Sequence, residues 1–197
     1  MLINQYSANL RTHGLTPNGV FWNSSYNQYK RFEELLNYIK PKNKKYSICD
    51  VGCGYGALYA YLVKKQLLSK FDYHGVDINK LMVHNCRENF PKILFGQSNT
   101  PIIEVDYAIM SGTYNYSVIE NIYLWEKYII ENLINCWIKC KSGIIFNIQG
   151  SSSSFIRNKI FYTTLNRMKY LLSKKFKKIS CFKSKHFDQD LLFVIQK

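Results

Sequence analysis

A chain of 197 residues with 47% hydrophobic and 16% aromatic content can bury one substantial core, and its length favours a single domain. No apolar run reaches bilayer-spanning length, and the opening Met1-Leu2-Ile3-Asn4-Gln5-Tyr6 lacks the basic-then-apolar order of a signal peptide, so a soluble cytoplasmic protein without a transmembrane segment is expected. The net charge of +14 raises nucleic acid or anionic lipid as a partner, yet only Arg11, Arg31, Arg87, Arg157 and Arg167 among the 27 basic residues are arginine, and the wealth of Lys, Asn, Ile and Tyr is what an AT-rich genome produces without selection for binding.

A polar arm rich in Asn, Gly and Thr leads to a predicted helix over Ser25 to Lys40, with Phe32, Leu35, Leu36 and Ile39 at helical spacing, Ser24 or Ser25 as cap and Pro41 as stop. Residues 1–40 form an arm and helix belonging to the same domain as 41–197. The segment Tyr6 to Arg31 carries Trp22, Tyr26 and Tyr29. It is either a lid, with Trp22 on an apolar face and Gln28 or Arg31 holding a carboxylate, or a helix packed on the sheet edge with Arg31 in a surface salt bridge.

Tyr46, Ile48 and Val51 mark a buried strand that runs through Asp50-Val51-Gly52-Cys53-Gly54-Tyr55-Gly56 into a helix from Ala57 to about Gln66. Glycines at such a turn allow a ligand to approach the backbone and the helix to pack on its strand. Read as Gly52-x-Gly54-x-x-Ala57, the turn also fits a dinucleotide fingerprint. Asp50 argues against that reading, because a carboxylate at the strand end repels a pyrophosphate and suits a ligand bearing an ammonium or sulfonium group. S-adenosylmethionine carries both and no phosphate. A second apolar run, Tyr73-His74-Gly75-Val76-Asp77-Ile78, ends in an acid placed to accept hydrogen bonds from ribose hydroxyls on the same rim.

Asn79 caps a further helix bearing Met82, Cys86 and Phe90 before Pro91, and strands follow at Ile93 to Phe95 and Tyr107 to Met110. The longest helix is predicted over Ile122 to Cys140, on the spacing of Ile122, Trp125, Ile129, Leu133, Cys136 and Cys140. Gly143 to Ile148 reads as a buried strand, Gly150 to Ser154 as a loop and cap, and Ile156, Ile160, Thr164, Met168 and Leu171 as a helix. Two last β-like segments, Phe176 to Phe182 and Leu191 to Gln196, suit an antiparallel pair. The alternation up to that point predicts an α/β, Rossmann-like doubly wound sheet with helices on both faces.

The six cysteines lack a Cys-x-x-Cys pair, so no metal is expected, and Cys136 and Cys140 suit helical packing beside Trp137. Cys53 either lines the cofactor site or packs behind it. His74 and His84 fall in ordinary strand and helix positions, whereas His13 and His186 lie in loops, His186 with Asp188 near enough in sequence to orient it as a base. Lys174, Lys175, Lys177, Lys178, Lys183 and Lys185 read as a solvated helix end and strand face.

Through Asp50-x-Gly52-x-Gly54-x-Gly56, Gly75-Val76-Asp77-Ile78 and Asp106-Tyr107-Ala108-Ile109-Met110-Ser111-Gly112, the chain resembles the class I S-adenosylmethionine-dependent methyltransferases. Trp22-Asn23-Ser24-Ser25, Gln28-Tyr29-Lys30-Arg31-Phe32 and Ser111-Gly112-Thr113-Tyr114-Asn115 extend the resemblance, over nearly the whole chain, to a little-characterised bacterial group. It implies seven mostly parallel strands with the last one antiparallel. It implies cofactor contacts from Asp50, Gly52, Cys53, Gly54, Gly56, Asp77, Ile78, Ser111 and Gly112. Many members carry an acid near the adenine where this chain has Gln97-Ser98-Asn99, so a neutral Ser98 or Asn99 would meet the adenine instead.

A sulfonium is already an activated electrophile, so positioning the acceptor can supply much of the rate; an alcohol must still lose its proton, whereas a neutral amine can attack first. Tyr114 and Asn115, after the fourth strand, are the acceptor-side candidates. The competing reading is a plain turn, with Gly112 giving backbone freedom and Asn115 capping the next helix. The Pro-Pro segment of many nucleobase amino methyltransferases is absent. Methyl transfer to oxygen or nitrogen of a small-molecule or sugar- or lipid-linked acceptor leads. An RNA methyltransferase using the basic surface and a catalytically idle partner subunit follow, and a nicotinamide enzyme comes last because of Asp50.

Overall fold

The protein is described by a computed structural model covering residues 2–39 and 44–197. Lys40 and Pro41, expected to end the first predicted helix, lie outside the described residues. In chain order come α1 (Leu2–His13), a 3-10 turn (Asn18–Val20), α2 (Ser25–Leu36), β1 (Tyr46–Val51), α3 (Ala57–Lys64), β2 (Phe71–Asp77), α4 (Lys80–Asn89), β3 (Leu94–Gln97) and β4 (Val105–Met110). Then follow α5 (Ile122–Ile138), β5 (Cys140–Gln149), β6 (Phe155–Arg157), β7 (Ile160–Tyr162), α6 (Leu165–Ser173), β8 (Lys178–Lys183) and β9 (Asp190–Gln196).

Seven strands form one sheet in the order β3-β2-β1-β4-β5-β9-β8, and β6 and β7 form a separate hairpin. Strands β1 to β5 pair in parallel, and β9 lies antiparallel to both β5 and β8, as the resemblance implied. Both faces are covered. Cys49 and Val51 of β1 point into a cluster with Ile129, Leu133 and Met168 of α5 and α6, and Ile48 points into one with Leu35, Leu58 and Val83 of α2, α3 and α4. Burial on both sides is why these strands read as apolar runs rather than alternating ones. The strand order reverses between β1 and β4, and this switch point opens the crevice at their carboxyl ends.

Side-chain caps fix where the helices begin: Ser24 Oγ accepts from the Asn27 amide at 3.2 Å, Asn79 Oδ1 from Leu81 at 3.0 Å, Asn121 Oδ1 from Leu124 at 3.1 Å and Thr164 Oγ1 from Arg167 at 3.0 Å. Asn121, not Asn115, therefore caps α5. The helix predicted through Ile156 and Ile160 is instead the β6–β7 hairpin followed by α6. Asn158 and Lys159 turn the hairpin with φ of 51° and 63°, and Phe155 stacks on Tyr162 with ring centroids 4.8 Å apart. Cys140 begins β5 rather than ending α5. Among the described residues no helix is long and apolar enough to cross a membrane, and no trio of His, Cys, Asp or Glu is arranged to hold a metal ion.

Candidate active site

A cavity of about 510 Å³ sits over the carboxyl ends of β1, β2 and β4, within the range of roughly 300–1,000 Å³ usual for ligand pockets. Its floor is the glycine turn. Gly52, Gly54 and Gly56 all have positive φ, of 80°, 55° and 83°, and a Cβ on Gly56 would come within 2.8 Å of the Phe90 ring. The Gly52 and Cys53 amides donate to Val76 O at 2.8 and 3.0 Å, so the turn is stitched to the end of β2.

Two carboxylates face this cavity. Asp77 accepts the Gly54 amide at 2.9 Å and the Asn79 amide at 2.8 Å, holding the turn open while burial pushes its pKa up against those two bonds. Asp50 is 3% exposed and accepts the Tyr73 hydroxyl at 3.0 Å. Burial, reinforced by nearby Asp77 and opposed by the Tyr73 bond, raises its pKa to about 7. Cys53 lines the cavity with its side chain buried beneath the turn; its hydrogen bond with Cys86 and its burial hold its thiol well above the usual range, so it is no nucleophile there.

The loop after β4 forms one wall. Ser111 Oγ is buried beside the cavity and has no hydrogen-bond partner among the described residues. The Gly112 amide donates to Asn147 Oδ1 at 2.7 Å, and Asn147 Nδ2 donates to Asp190 Oδ2 at 3.1 Å. Asp190, 1% exposed, also accepts Gln149 Nε2 at 2.9 Å and Arg31 Nε at 2.5 Å and Nη2 at 3.3 Å. The Arg31 guanidinium lies 3.7 Å from the Phe187 ring centroid and 4.7 Å from that of Trp22. One buried network thus joins the arm, the last strand and the loop bearing Gly112. Trp22 in turn packs so close to Gly112 that a Cβ there would lie 2.6 Å from it.

The arm forms the opposite wall through Tyr6, Phe21, Trp22 and Gln28. Gln28 Oε1 accepts the Tyr55 hydroxyl at 2.8 Å, and Asn79 Nδ2 donates to Ser7 Oγ at 3.1 Å, so the arm is tied to both strand ends. Tyr6 packs edge-on against Phe21 and Tyr116, with centroids 5.0 and 5.7 Å apart, and Phe21 stacks on Tyr116 at 5.5 Å. Of the arm aromatics singled out in the sequence, only Trp22 lines the cavity; Tyr26 is exposed and Tyr29 packs on Tyr61.

Of the residues named from the sequence, Asp50, Gly52, Cys53, Gly54, Asp77, Ile78, Ser98, Asn99, Ser111, Gly112, Trp22, Gln28 and Arg31 line the cavity, whereas Gly56 does not. Ser98 Oγ is turned onto the Thr100 amide at 3.0 Å, and the Asn99 carbonyl accepts Asn132 Nδ2 at 2.9 Å. Four expectations change. The Tyr114 side chain is buried with its hydroxyl donating to Asn132 Oδ1 at 2.8 Å, and burial raises its pKa well above the normal range, so it supports the wall instead of meeting an acceptor. Asn115 is a clamp: its Oδ1 accepts the Gln149 amide and its carbonyl the Phe161 amide, at 3.0 and 2.8 Å. His186 is exposed against Phe187 and does not line the cavity, nor do His13, His74 and His84. Arg31 is committed to Asp190 rather than free for a ligand carboxylate. Tyr6, Phe21, Tyr116, Asn132, Gln149, Ile160 and Tyr162 were not foreseen. Of these, only the aromatic density of the arm left a trace in the sequence.

No family model matches the chain. It is 31% identical over 137 residues to Rv1506c of Mycobacterium tuberculosis, a protein named provisionally as a methyltransferase, covering 65% of this chain and 76% of that one. Its fold is similar to that of a SAM-dependent methyltransferase from Leishmania major, with a TM-score of 0.71, 15% identity and coverage of 99% and 82% of the two chains. It is also similar to the plantazolicin methyltransferase BpumL, solved in complex with SAH, at a TM-score of 0.63, 14% identity and coverage of 99% and 94%. A TehB-like SAM-dependent methyltransferase from Corynebacterium glutamicum gives 0.61, 13% and coverage of 100% and 98%. With the strand order, the glycine turn between two rim carboxylates and this relative in agreement, the chain belongs to the class I S-adenosylmethionine-dependent methyltransferases.

Proposed function

We propose that the cavity binds S-adenosylmethionine and an acceptor side by side, and that the protein transfers a methyl group to oxygen or nitrogen of a small-molecule or sugar- or lipid-linked acceptor. The observation that carries the cofactor half is the pair Asp50 and Asp77, facing one cavity across a glycine turn, with Asp50 buried and no cation acting on it among the described residues. When bound, S-adenosylmethionine supplies a methyl group on a positively charged sulfur. Asp50 would hold the cofactor's ammonium, Asp77 its ribose hydroxyls, Ser111 Oγ a polar atom of its methionine part, and Ser98 or Asn99 the adenine. The arm from Tyr6 to Arg31 would exclude water and act as a lid over the cavity.

Two features support a closed pocket over an RNA groove. Arg31 is the sole Lys or Arg among the described residues that line the cavity, and Asp190 neutralises it. Lys174, Lys175, Lys177, Lys178, Lys183 and Lys185 are exposed and none lines the cavity. Fold alone does not favour an idle subunit, and a buried carboxylate whose hydrogen bond is to the neutral Tyr73 hydroxyl argues against one, since Asp50 carries a cost that a lost ligand would leave without use.

The pH dependence of binding tests this reading. An ammonium binds only ionised Asp50, and Asp50 in the free protein titrates at about 7. Affinity for S-adenosylhomocysteine, which keeps the ammonium, should therefore be flat above about pH 8 and fall up to tenfold per pH unit below about 7. Calorimetry between pH 5.5 and 8.5 measures it. Affinity that is constant across that range, or that rises on acidification, contradicts the assignment of Asp50.

A further inference from the structure

The cavity's titratable residues restrict the acceptor chemistry. Among the described residues they are Asp50, Asp77, Arg31, Cys53 and the tyrosines Tyr6, Tyr55, Tyr114, Tyr116, Tyr128 and Tyr162, with no His, Lys or Glu. Asp50 and Asp77 are taken up by the cofactor in the reading above. Arg31 is bonded on two nitrogens to Asp190. Burial and neighbouring acids push Tyr6 up, burial pushes Tyr55 up to about 12, and Cys53 and Tyr114 are raised well above their ordinary values. A neutral phenol is no base.

Beyond Gly112 the wall is aromatic. Tyr6, Phe21 and Tyr116 pack together, Trp22 sits against Gly112, and a bridge from Tyr116 to Ile160 brings the hairpin, with Ile160 and Tyr162, onto the same cavity. The hairpin is fixed there by the Phe161 amide on Asn115 O at 2.8 Å and the Ser117 amide on Lys159 O at 2.7 Å.

An alcohol or carbon acid needs a base to take its proton, and this wall offers none. A carboxylate or phenolate is already ionised but needs a cation to be drawn from water, and the one guanidinium is paired. A neutral amine needs neither. Its charge appears only as the bond forms, when aromatic faces attract the developing ammonium.

Resting on the proposed function, we propose that the acceptor is an uncharged amine on an apolar or aromatic framework, methylated at nitrogen without an enzymatic base, with the Tyr116 side and the β6–β7 hairpin forming its chamber. The nitrogen lone pair forms the new N–C bond while the S–C bond breaks and its electron pair stays on sulfur; the positive charge moves from sulfur to nitrogen. The surplus proton on nitrogen leaves afterwards to water.

The test uses the full chain and three probes of equal size: benzylamine, benzyl alcohol and benzoate. Calorimetry first establishes S-adenosylmethionine binding, and transfer of isotopically labelled methyl is then followed at saturating donor. Label should reach benzylamine at least about tenfold faster than either oxygen probe, since only the amine avoids both a base and a counter-cation. Across ring-substituted benzylamines the pH midpoint of transfer should follow each amine's own pKa rather than one fixed enzyme value. Tyr162→Ala should weaken benzylamine binding to the S-adenosylhomocysteine complex about tenfold while leaving S-adenosylhomocysteine affinity within about twofold. Label on benzyl alcohol or benzoate at an equal or greater rate, or none on any probe despite bound donor, overturns the amine assignment and leaves the cofactor reading standing. Failure to bind the donor at all overturns the cofactor reading itself.

Discussion

Asp190→Ala should lower the stability of the protein by about 3–5 kcal/mol, the range for removing one partner of a buried ion pair, out of a typical total of roughly 5–15 kcal/mol. The carboxylate is 1% exposed and accepts from Arg31, Asn147 and Gln149 at once. Its loss strands the Arg31 guanidinium between Trp22 and Phe187, with only Asn27 O at 3.2 Å still accepting from it. It also leaves two buried amide donors without an acceptor. Because Asn147 holds the Gly112 amide, S-adenosylhomocysteine affinity should fall along with stability. Urea unfolding measures the first effect, and a double-mutant cycle with Arg31→Met should return a coupling of about 1.5 kcal/mol or more. A loss below about 1 kcal/mol would show that the pair is solvated and that the arm is not anchored through it.

Asp50→Asn should act in opposite directions on stability and binding. Without ligand, Asp50 is a buried acid whose pKa stands near 7 against an ordinary 3.8, so the native protein holds that proton more tightly than the unfolded chain does. Its contribution is therefore full below about pH 4, declines as pH rises, and is lost above about 7. Replacing it with a neutral amide, which can still accept the Tyr73 hydroxyl, should raise the Tm at pH 8 by roughly 2–8 °C, taking about 1–2 kcal/mol at ~2–4 °C each. The gain over the native chain should shrink as pH falls and vanish by about pH 4. The same substitution removes the partner of the cofactor's ammonium, so S-adenosylhomocysteine affinity should drop about 30-fold or more, the scale of losing one member of a desolvated charge pair. A Tm that falls at pH 8, or affinity that is retained, contradicts the role given to Asp50.

What the sequence made legible was local. The turn from Gly52 to Gly56 and the strand-end acids Asp50 and Asp77 are set by backbone geometry within a few residues, and the sheet follows from alternation of apolar runs and helical spacing. The arm anchor was not legible, because Arg31 and Asp190 lie 159 residues apart and no local pattern pairs them. A hint existed: Asp190 opens an otherwise apolar strand, where a charge needs a buried partner. The nearby His186 and Asp188 drew the chemistry instead, and both are exposed.

The hairpin was hidden for a different reason. Ile156 and Ile160 are four apart, which imitates a helix, and the turn between them uses Asn158 and Lys159 rather than a glycine. Tyr114 and Tyr116 were separated only by structure. Tyr114 packs edge-on to Phe146 in the core at 6.0 Å, while Tyr116, two residues on, joins the aromatic wall with Tyr6 and Phe21. A loop's side-chain directions depend on what it packs against, and here that includes an N-terminal helix, α1, which the sequence offers only as the alternative to a lid.

The central claim is that one cavity, floored by the glycine turn and its two carboxylates, holds the methyl donor. Calorimetry of S-adenosylhomocysteine with the native chain and with Asp77→Ala, using NADH as a control, tests it most directly. The account predicts micromolar-range binding that Asp77→Ala weakens by about 1–3 kcal/mol, the scale for leaving buried polar groups unpaired, with no binding of NADH. Binding of NADH alone, or S-adenosylhomocysteine affinity indifferent to Asp77, would contradict it.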